Sequence, residues 1–135
     1  MKILVDTSVW SLALRREKSV DNLNIIELEN LIKEVRVQLI GPIRQELLSG
    51  IKSSQQYENL KKQLRAFPDH LIQTPDFEKA AELFNRCKSK GIQGSTTDFL
   101  ICAISFNNHW PIFTTDKDFL KYRKIIPIIL HIPRE

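Results

Sequence analysis

Four carboxylates stand at the ends or starts of apolar segments that lie far apart in the chain: Asp6, Glu46, Asp98 and Asp116. Two unit charges ~5 Å apart at an effective dielectric of ~20 repel each other by about 3 kcal/mol, so gathering all four requires a compensating cation. Carboxylate oxygens are the ligands that Mg2+ and Mn2+ prefer. Because such an ion can activate a water and stabilise an in-line attack on phosphorus, the chemistry expected is phosphodiester hydrolysis.

The elements that would position these acids are short apolar strands alternating with helices. The predicted strands are KILVD, VRVQLIG, PIFTT and IIPIIL, with a brief extended piece at HLIQ. The predicted helices are SVWSLALRR, residues 20–35, PIRQELLSG, SSQQYENLKKQLRAF, residues 76–90, TDFLICAISF and KDFLKYR. This alternation predicts an α/β fold with a mostly parallel sheet covered on both faces.

The four acids are expected to meet because the functional crevice of a parallel sheet lies outside the carboxyl ends of its strands. Asp6 and Asp116 directly follow strands, Asp98 begins the helix after the loop GIQGS, and Glu46 sits one turn into the helix after VRVQLI. Nearby hydroxyls that can orient carboxylates or waters belong to Thr7, Ser8, Thr114 and Thr115.

Each acid also has a simpler structural explanation. Asp6 can cap the following helix, and Ser95 and Asp98 have the spacing of a capping box. Asp116 and Asp118 can both favour the first turn of KDFLKYR through the helix dipole, and Glu46 can be a solvated helix residue. Asp118 is the alternative to Asp116 as the fourth acid, but Asp116 is favoured because it directly follows its strand.

Length and composition indicate one globular domain over residues 1–135. The chain carries 20 Lys and Arg against 16 Asp and Glu, a net charge of +4 that suits a partner rich in phosphates. We find neither a membrane-spanning stretch nor a secretion signal in the sequence, so a cytoplasmic protein is expected. Cys87 and Cys102 are predicted to be buried, reduced thiols, and the three histidines lack metal-ligand spacing.

Basic and aromatic residues give a weaker indication of RNA binding. Those predicted at helix ends or in loops, where they can neutralise phosphates, are Arg15, Arg16, Lys52, Lys88, Lys90 and Lys117. Ordinary solvated lysines explain any one of them equally well. Trp10 is predicted to be a buried anchor of the first helix rather than a platform for base stacking.

The ordered runs KILVDTSVW, RQELLSG, TTDFLICA and IFTTDKDF resemble the PIN-domain ribonucleases, and among them most closely the VapC toxins of bacterial toxin–antitoxin pairs. The resemblance covers residues 1–135. It implies a three-layer α/β/α sandwich and a Mg2+- or Mn2+-dependent site that cuts RNA. By this resemblance the catalytic residues are Asp6, Glu46, Asp98 and Asp116, with Asp6, Asp98 and Asp116 as metal ligands.

The same resemblance implies a homodimer and a VapB-like antitoxin whose C-terminal segment lies across the active-site groove. Two other functions are open to a chain of this pattern. One is a catalytically silent module that keeps the fold to bind RNA or protein, although retention of four mutually repelling acids argues against it. The other is a phosphatase with an aspartyl nucleophile, but such enzymes need a second aspartate two residues after the first, where this chain has Ser8.

Overall fold

A computed structural model describes residues 1–14 and 22–135 of the chain. Its strands are β1 (Ile3–Val5), β2 (Val37–Gln38) and β3 (Ile112–Phe113). Its helices are α1 (Thr7–Leu14), α2 (Leu23–Lys33), α3 (Gly41–Leu48), α4 (Ser54–Leu64), α5 (Thr74–Ser89), α6 (Thr96–Asn108) and α7 (Asp118–Arg123). The chain therefore alternates strands with helices, as its apolar pattern predicts.

The sheet has the order β2-β1-β3, and both pairings are parallel. Ile3 faces Val37 across one pairing, and Val5 faces Phe113 across the other. Every residue of β1 is buried, as expected for a central strand with helices on both faces. Because all three strands run the same way, the loops that follow them emerge at one edge of the sheet, which we call the carboxyl edge.

Helices cover the sheet in two groups. The hairpin of α5 and α6 packs together, while α1 contacts α2 and α3. In α6 all seven residues from Phe99 to Ser105 are buried, so this helix lies inside the protein rather than on its surface. The small parallel sheet between helices confirms the predicted three-layer α/β/α fold.

Two extended pieces expected from the sequence are shorter in the structure. The segment IIPIIL, predicted as a strand, forms one parallel bridge from Leu130 to Ile112, and near HLIQ a single bridge joins Asp69 to Leu39. Pro127 interrupts the first segment, because proline has no N–H to donate to a ladder. The two segments therefore extend the sheet only by single contacts at its edges.

Helix starts follow local capping. The first residues of the helix predicted over 20–35 fall outside the described residues. Helix α2 begins after Asn22, whose side-chain oxygen accepts hydrogen bonds from the backbone N–H groups of Asn24 and Ile25. Helix α5 begins at Thr74, two residues earlier than predicted, because Gln73 and Asp76 form the capping box.

The burial predictions for single side chains are confirmed. Cys87 and Cys102 are buried free thiols, and burial raises the pKa of both. Trp10 is buried, with its ring edge-on to Phe67 at 5.2 Å between centroids. None of the helices in the described parts of the chain is long and apolar enough to cross a bilayer.

Candidate active site

Asp6 lies at the carboxyl edge directly after β1 and is held by hydroxyl groups from the first turn of α1 and from the loop after β3. Its Oδ2 accepts hydrogen bonds from Ser8 Oγ at 2.9 Å and from Thr114 Oγ1 at 2.8 Å. Asp6 is only 6% exposed, so this carboxylate depends on these donors in place of water. The hydroxyls of Ser8 and Thr114, which the sequence predicts near the acids, therefore fix the orientation of Asp6.

The loop after β3 connects Asp116 to Asp6 through one side chain. Thr114 Oγ1, which donates to Asp6, also accepts the backbone N–H of Asp116 at 3.0 Å. The backbone N–H of Thr115 donates to Ser8 Oγ at 3.0 Å, which joins the start of α1 to the loop after β3 a second time. The two loops that carry these aspartates therefore form one hydrogen-bonded unit.

Asp116 also has the structural role that its position suggests. Its Oδ1 accepts the backbone N–H of Asp118 at 2.9 Å, at the start of α7. The Asp118 side chain is 51% exposed and lies 3.7 Å from the ammonium group of Lys121. Of the two neighbouring acids, Asp116 is thus the one tied into the loop network.

Asp98 enters the site from the first turn of α6. Its backbone N–H donates to Ser95 Oγ at 3.0 Å, which is one of the two bonds of the predicted capping box. Its carboxylate Oδ2 accepts a 2.6 Å hydrogen bond from the hydroxyl of Tyr122 on α7. The sequence pattern identifies Tyr122 only as part of a short terminal helix, so this partner of Asp98 was not predicted.

The environment of Asp98 shifts its pKa upward. Burial is the largest cause, and the negative charges of Asp6 and Asp116 raise the pKa further, while hydrogen bonds with Tyr122 and Ser95 oppose the shift. Burial also raises the pKa of Tyr122, so this phenol stays protonated and donates to the carboxylate. The charges of Asp6 and Asp116 are thus close enough to Asp98 to influence its protonation.

Glu46 reaches the same edge from α3. Its Oε2 accepts a 2.5 Å hydrogen bond from Thr7 Oγ1, and Thr7 directly follows Asp6. Glu46 is exposed, whereas Ile43 and Leu47 on the same helix are buried, so the carboxylate borders the apolar face as its spacing predicts. This contact places Glu46 at the open side of the acidic site.

Three of the carboxylates approach closely enough to share one cation. Asp98, Asp116 and Asp118 each offer an oxygen, and these three oxygens lie within 4.8 Å of one another. This donor set matches the preference of Mg2+ and Mn2+ for carboxylate oxygen. The set contains two of the three predicted metal ligands and adds Asp118, while Asp6 lies beside it through the Thr114 connection.

The predicted basic residues occupy different positions in the fold. Lys117 is exposed between Asp116 and Asp118, and Lys88 and Lys90 are exposed at the end of α5, next to the loop that enters α6. Lys52 is exposed beyond the end of α3. Arg15 and Arg16 lie outside the described residues.

Comparison with known proteins places this geometry in a family. The model of the PIN domain matches residues 3–125. The chain belongs to the PIN-domain family. The acidic edge described above is thus the carboxyl edge of a PIN domain. A comparison with curated protein sequences gave no significant match.

Solved structures with the same fold come from several bacteria. FitAcB from Neisseria gonorrhoeae superimposes on the PIN domain with a TM-score of 0.78 and 21% identity, over 97% of each chain. VapBC2 from Rickettsia felis, bound to a DNA fragment from its promoter, gives a TM-score of 0.79 and 18% identity over 97% of this chain and 98% of that chain. A toxin–antitoxin complex from Klebsiella pneumoniae gives 0.67 and 17% identity over 99% of each chain.

Proposed function

We propose that this PIN domain is a divalent-metal-dependent endoribonuclease and the toxin of a type II toxin–antitoxin pair. The observation that carries the proposal is the meeting of carboxylate oxygens from Asp98, Asp116 and Asp118 within 4.8 Å, beside Asp6. A group of acids this close is strained by mutual repulsion, and a divalent cation relieves that strain. The family membership supports nuclease chemistry at this edge.

Asp98 and Asp116, together with Asp6, are the proposed ligands of Mg2+ or Mn2+, and Asp118 is the additional acid within reach. When bound, such an ion lowers the pKa of a coordinated water and stabilises the oxygens of an in-line displacement at phosphorus. Ser8 and Thr114 hold the Asp6 carboxylate. Glu46 accepts a hydrogen bond from Thr7 and is the most exposed of the four proposed catalytic carboxylates. In this position it can orient a water or accept a proton.

The proposed partners follow from the fold relatives and from charge. The structural neighbours include VapBC2 and a toxin–antitoxin complex from Klebsiella pneumoniae, which supports a VapB-like antitoxin for this chain. The net charge of +4 supports an RNA substrate. We propose that the chain acts as a homodimer in the cytoplasm, where its RNA substrate and antitoxin would meet it.

The decisive experiment measures cleavage of single-stranded RNA by the purified protein. We expect cleavage with Mg2+ or Mn2+, loss of cleavage in EDTA, and recovery when either ion is added back. Asp98→Asn keeps the size of the side chain and an oxygen to accept from Tyr122, and we expect at least about a 100-fold loss, because removing a charged ligand costs several kcal/mol of transition-state stabilisation.

Unchanged cleavage in EDTA would refute metal dependence, and cleavage of DNA with no cleavage of RNA would refute the substrate. Full activity of Asp98→Asn would remove Asp98 from the site. The toxin role has its own test: induced expression should arrest growth, and co-expression of a gene that encodes the proposed VapB-like antitoxin should relieve the arrest. Relief by that gene without complex formation would contradict the antitoxin proposal.

A further inference from the structure

The contact between Tyr122 and Asp98 joins two elements that are far apart in sequence. The hydroxyl of Tyr122, on α7, donates to Oδ2 of Asp98, on α6, across 24 residues at a distance of 2.6 Å. A hydrogen bond this short to an ionised carboxylate belongs to the strong, charge-assisted class. The phenol therefore restrains one oxygen of a carboxylate that also lies near the charges of Asp6 and Asp116.

The ring of Tyr122 is itself immobilised by packing. Tyr122 is fully buried, with ring centroids 4.9 Å from Phe99 and 5.2 Å from Phe119. Phe99 is the residue after Asp98, so one aromatic contact ties the phenol to the first turn of α6. With its ring enclosed on two sides, the hydroxyl has little freedom to leave Asp98.

The loop before α6 closes the third side of the phenol. At Gly94 a Cβ atom would lie 2.7 Å from Cζ of Tyr122, closer than real Cβ contacts allow, and it would also overlap the hydroxyl oxygen. Glycine is required here for close approach of the backbone rather than for a turn. The loop therefore lies directly on the phenol and on the edge of the neighbouring Phe99 ring, 2.9 Å from where a Cβ would be.

We propose that Tyr122 is a positioning residue that fixes the Asp98 carboxylate for cation binding, and that the bare backbone at Gly94 keeps the phenol in place. This inference rests on the proposed function, in which Asp98 is a metal ligand. Groups that hydrogen-bond to a metal ligand typically contribute 10- to 100-fold to metal affinity when they orient that ligand. A phenol that only satisfies its own buried hydroxyl would leave the metal affinity unchanged.

The experiment compares Tyr122→Phe with Tyr57→Phe, which alters the one other tyrosine of the sequence, on α4. Mn2+ binding is measured by the electron paramagnetic resonance of free Mn2+, with thermal unfolding and RNA cleavage measured in parallel. For Tyr122→Phe we expect Mn2+ affinity about 10- to 100-fold weaker and cleavage that recovers as Mn2+ is raised, with the KM for RNA unchanged. Tyr57→Phe should match the wild type in all three.

Gly94→Ala gives a second route, because it displaces the phenol while keeping its hydroxyl. It should weaken Mn2+ binding as well, and it carries the test if Tyr122→Phe does not fold. Wild-type affinity for Mn2+ in folded Tyr122→Phe, with Asp98→Asn failing to bind, would overturn the positioning role and leave the proposed function intact. Failure of the wild type to bind Mn2+ would instead overturn both.

Discussion

At the scale of single residues, the site is a set of acids whose orientations are fixed by uncharged donors. Thr114 serves two aspartates at once, since its hydroxyl donates to Asp6 and accepts the N–H of Asp116. Tyr122 restrains Asp98 in a similar way through its phenol hydroxyl. Because hydroxyl donors add no charge, they orient the carboxylates without neutralising the negative potential that attracts a cation.

Replacing the two neighbouring acids separately tests which one serves the reaction. We expect Asp116→Asn to lower the rate of RNA cleavage by about 100-fold or more, because Asp116 is held in the network that includes Asp6. Asp118→Asn should lower it by less than about 10-fold, since a water can take the place of the half-exposed Asp118 carboxylate. The reverse order in measured kcat would assign the fourth position to Asp118.

The acids themselves could be predicted from the sequence, but their hydrogen-bonding partners only in part. Strand-to-helix order identifies Asp6 and Asp116, because a parallel sheet sends its loops to one edge. The hydroxyls of Ser8 and Thr114 lie within two residues of those acids and were predicted with them. Tyr122 was not predicted, because a tyrosine on a short amphipathic helix is fully explained by burial and its contact with Asp98 depends on how α6 and α7 pack.

At the scale of elements, the α5–α6 hairpin and the β3–α7 loop bring both acids and lysines to the carboxyl edge. Helix α6 begins at this edge with Asp98, so the end of α5 must lie near it as well, with Lys88 and Lys90. Helix α3 begins after β2 and carries Glu46 near its end, and Lys52 lies four residues beyond Leu48 in the loop before α4. The lysines that border the elements carrying Asp98 and Asp116 are thus Lys88, Lys90 and Lys117, whereas Lys52 belongs to the α3–α4 loop.

This separation gives a prediction for RNA binding. Charge reversal of Lys88, Lys90 and Lys117 together should weaken binding of uncleavable RNA and reduce the dependence of affinity on salt, by about 0.7 in log–log slope for each phosphate that is no longer neutralised. Lys52→Glu is the matched control and should change the slope less than any one of these three. Binding of Mn2+ should not fall in any variant, since no proposed ligand changes. An equal effect of Lys52→Glu would contradict the proposed RNA path.

The elements that the sequence predicts least well are the extended segments that pair with the sheet through a single bridge. Every predicted helix has its counterpart, since each has an apolar stripe or a cap that can be read locally. The segment IIPIIL has the composition of a strand, yet only Leu130 forms a bridge. Pairing at a sheet edge depends on the neighbouring strand and on Pro127, and neither effect is visible in apolar content alone.

At the scale of the whole molecule, a buried carboxylate on α2 binds the C-terminal residues through hydrogen bonds and an ion pair. Glu27 is 1% exposed and accepts hydrogen bonds from the Arg134 side chain and backbone, and its Oε2 lies 2.8 Å from Nε2 of His131. Arg134 also pairs with Glu34 at 2.9 Å. Burial alone would raise the pKa of Glu27, but the hydrogen bonds from Arg134 and His131 lower it to about 2.

Glu27→Gln tests the interaction between Glu27 and Arg134, because it removes the negative charge of the side chain while keeping its size. We expect a loss of about 1–3 kcal/mol in the free energy of unfolding at neutral pH, measured by urea denaturation, because Arg134 loses a charged partner. Glu29→Gln, on the exposed face of the same helix, should change it little.

The pH dependence of this loss has a definite sign. A carboxylate with a lowered pKa stabilises the folded state above its unfolded pKa, here 4.5, and loses that contribution as the pH falls toward about 2. The difference between wild type and Glu27→Gln should therefore shrink as the pH falls below 4.5. A difference that grew below this pH would contradict the assigned role of Glu27.

The position of β1 between β2 and β3 has a consequence for biosynthesis. The central strand is made first, yet one of its two neighbours and Asp116 are made more than a hundred residues later. At translation rates of about 5–20 residues per second, this interval lasts on the order of 5–20 s. A nascent chain therefore cannot assemble the complete acidic pocket until Asp116 has been made, so the earlier strands and helices exist for this interval without it.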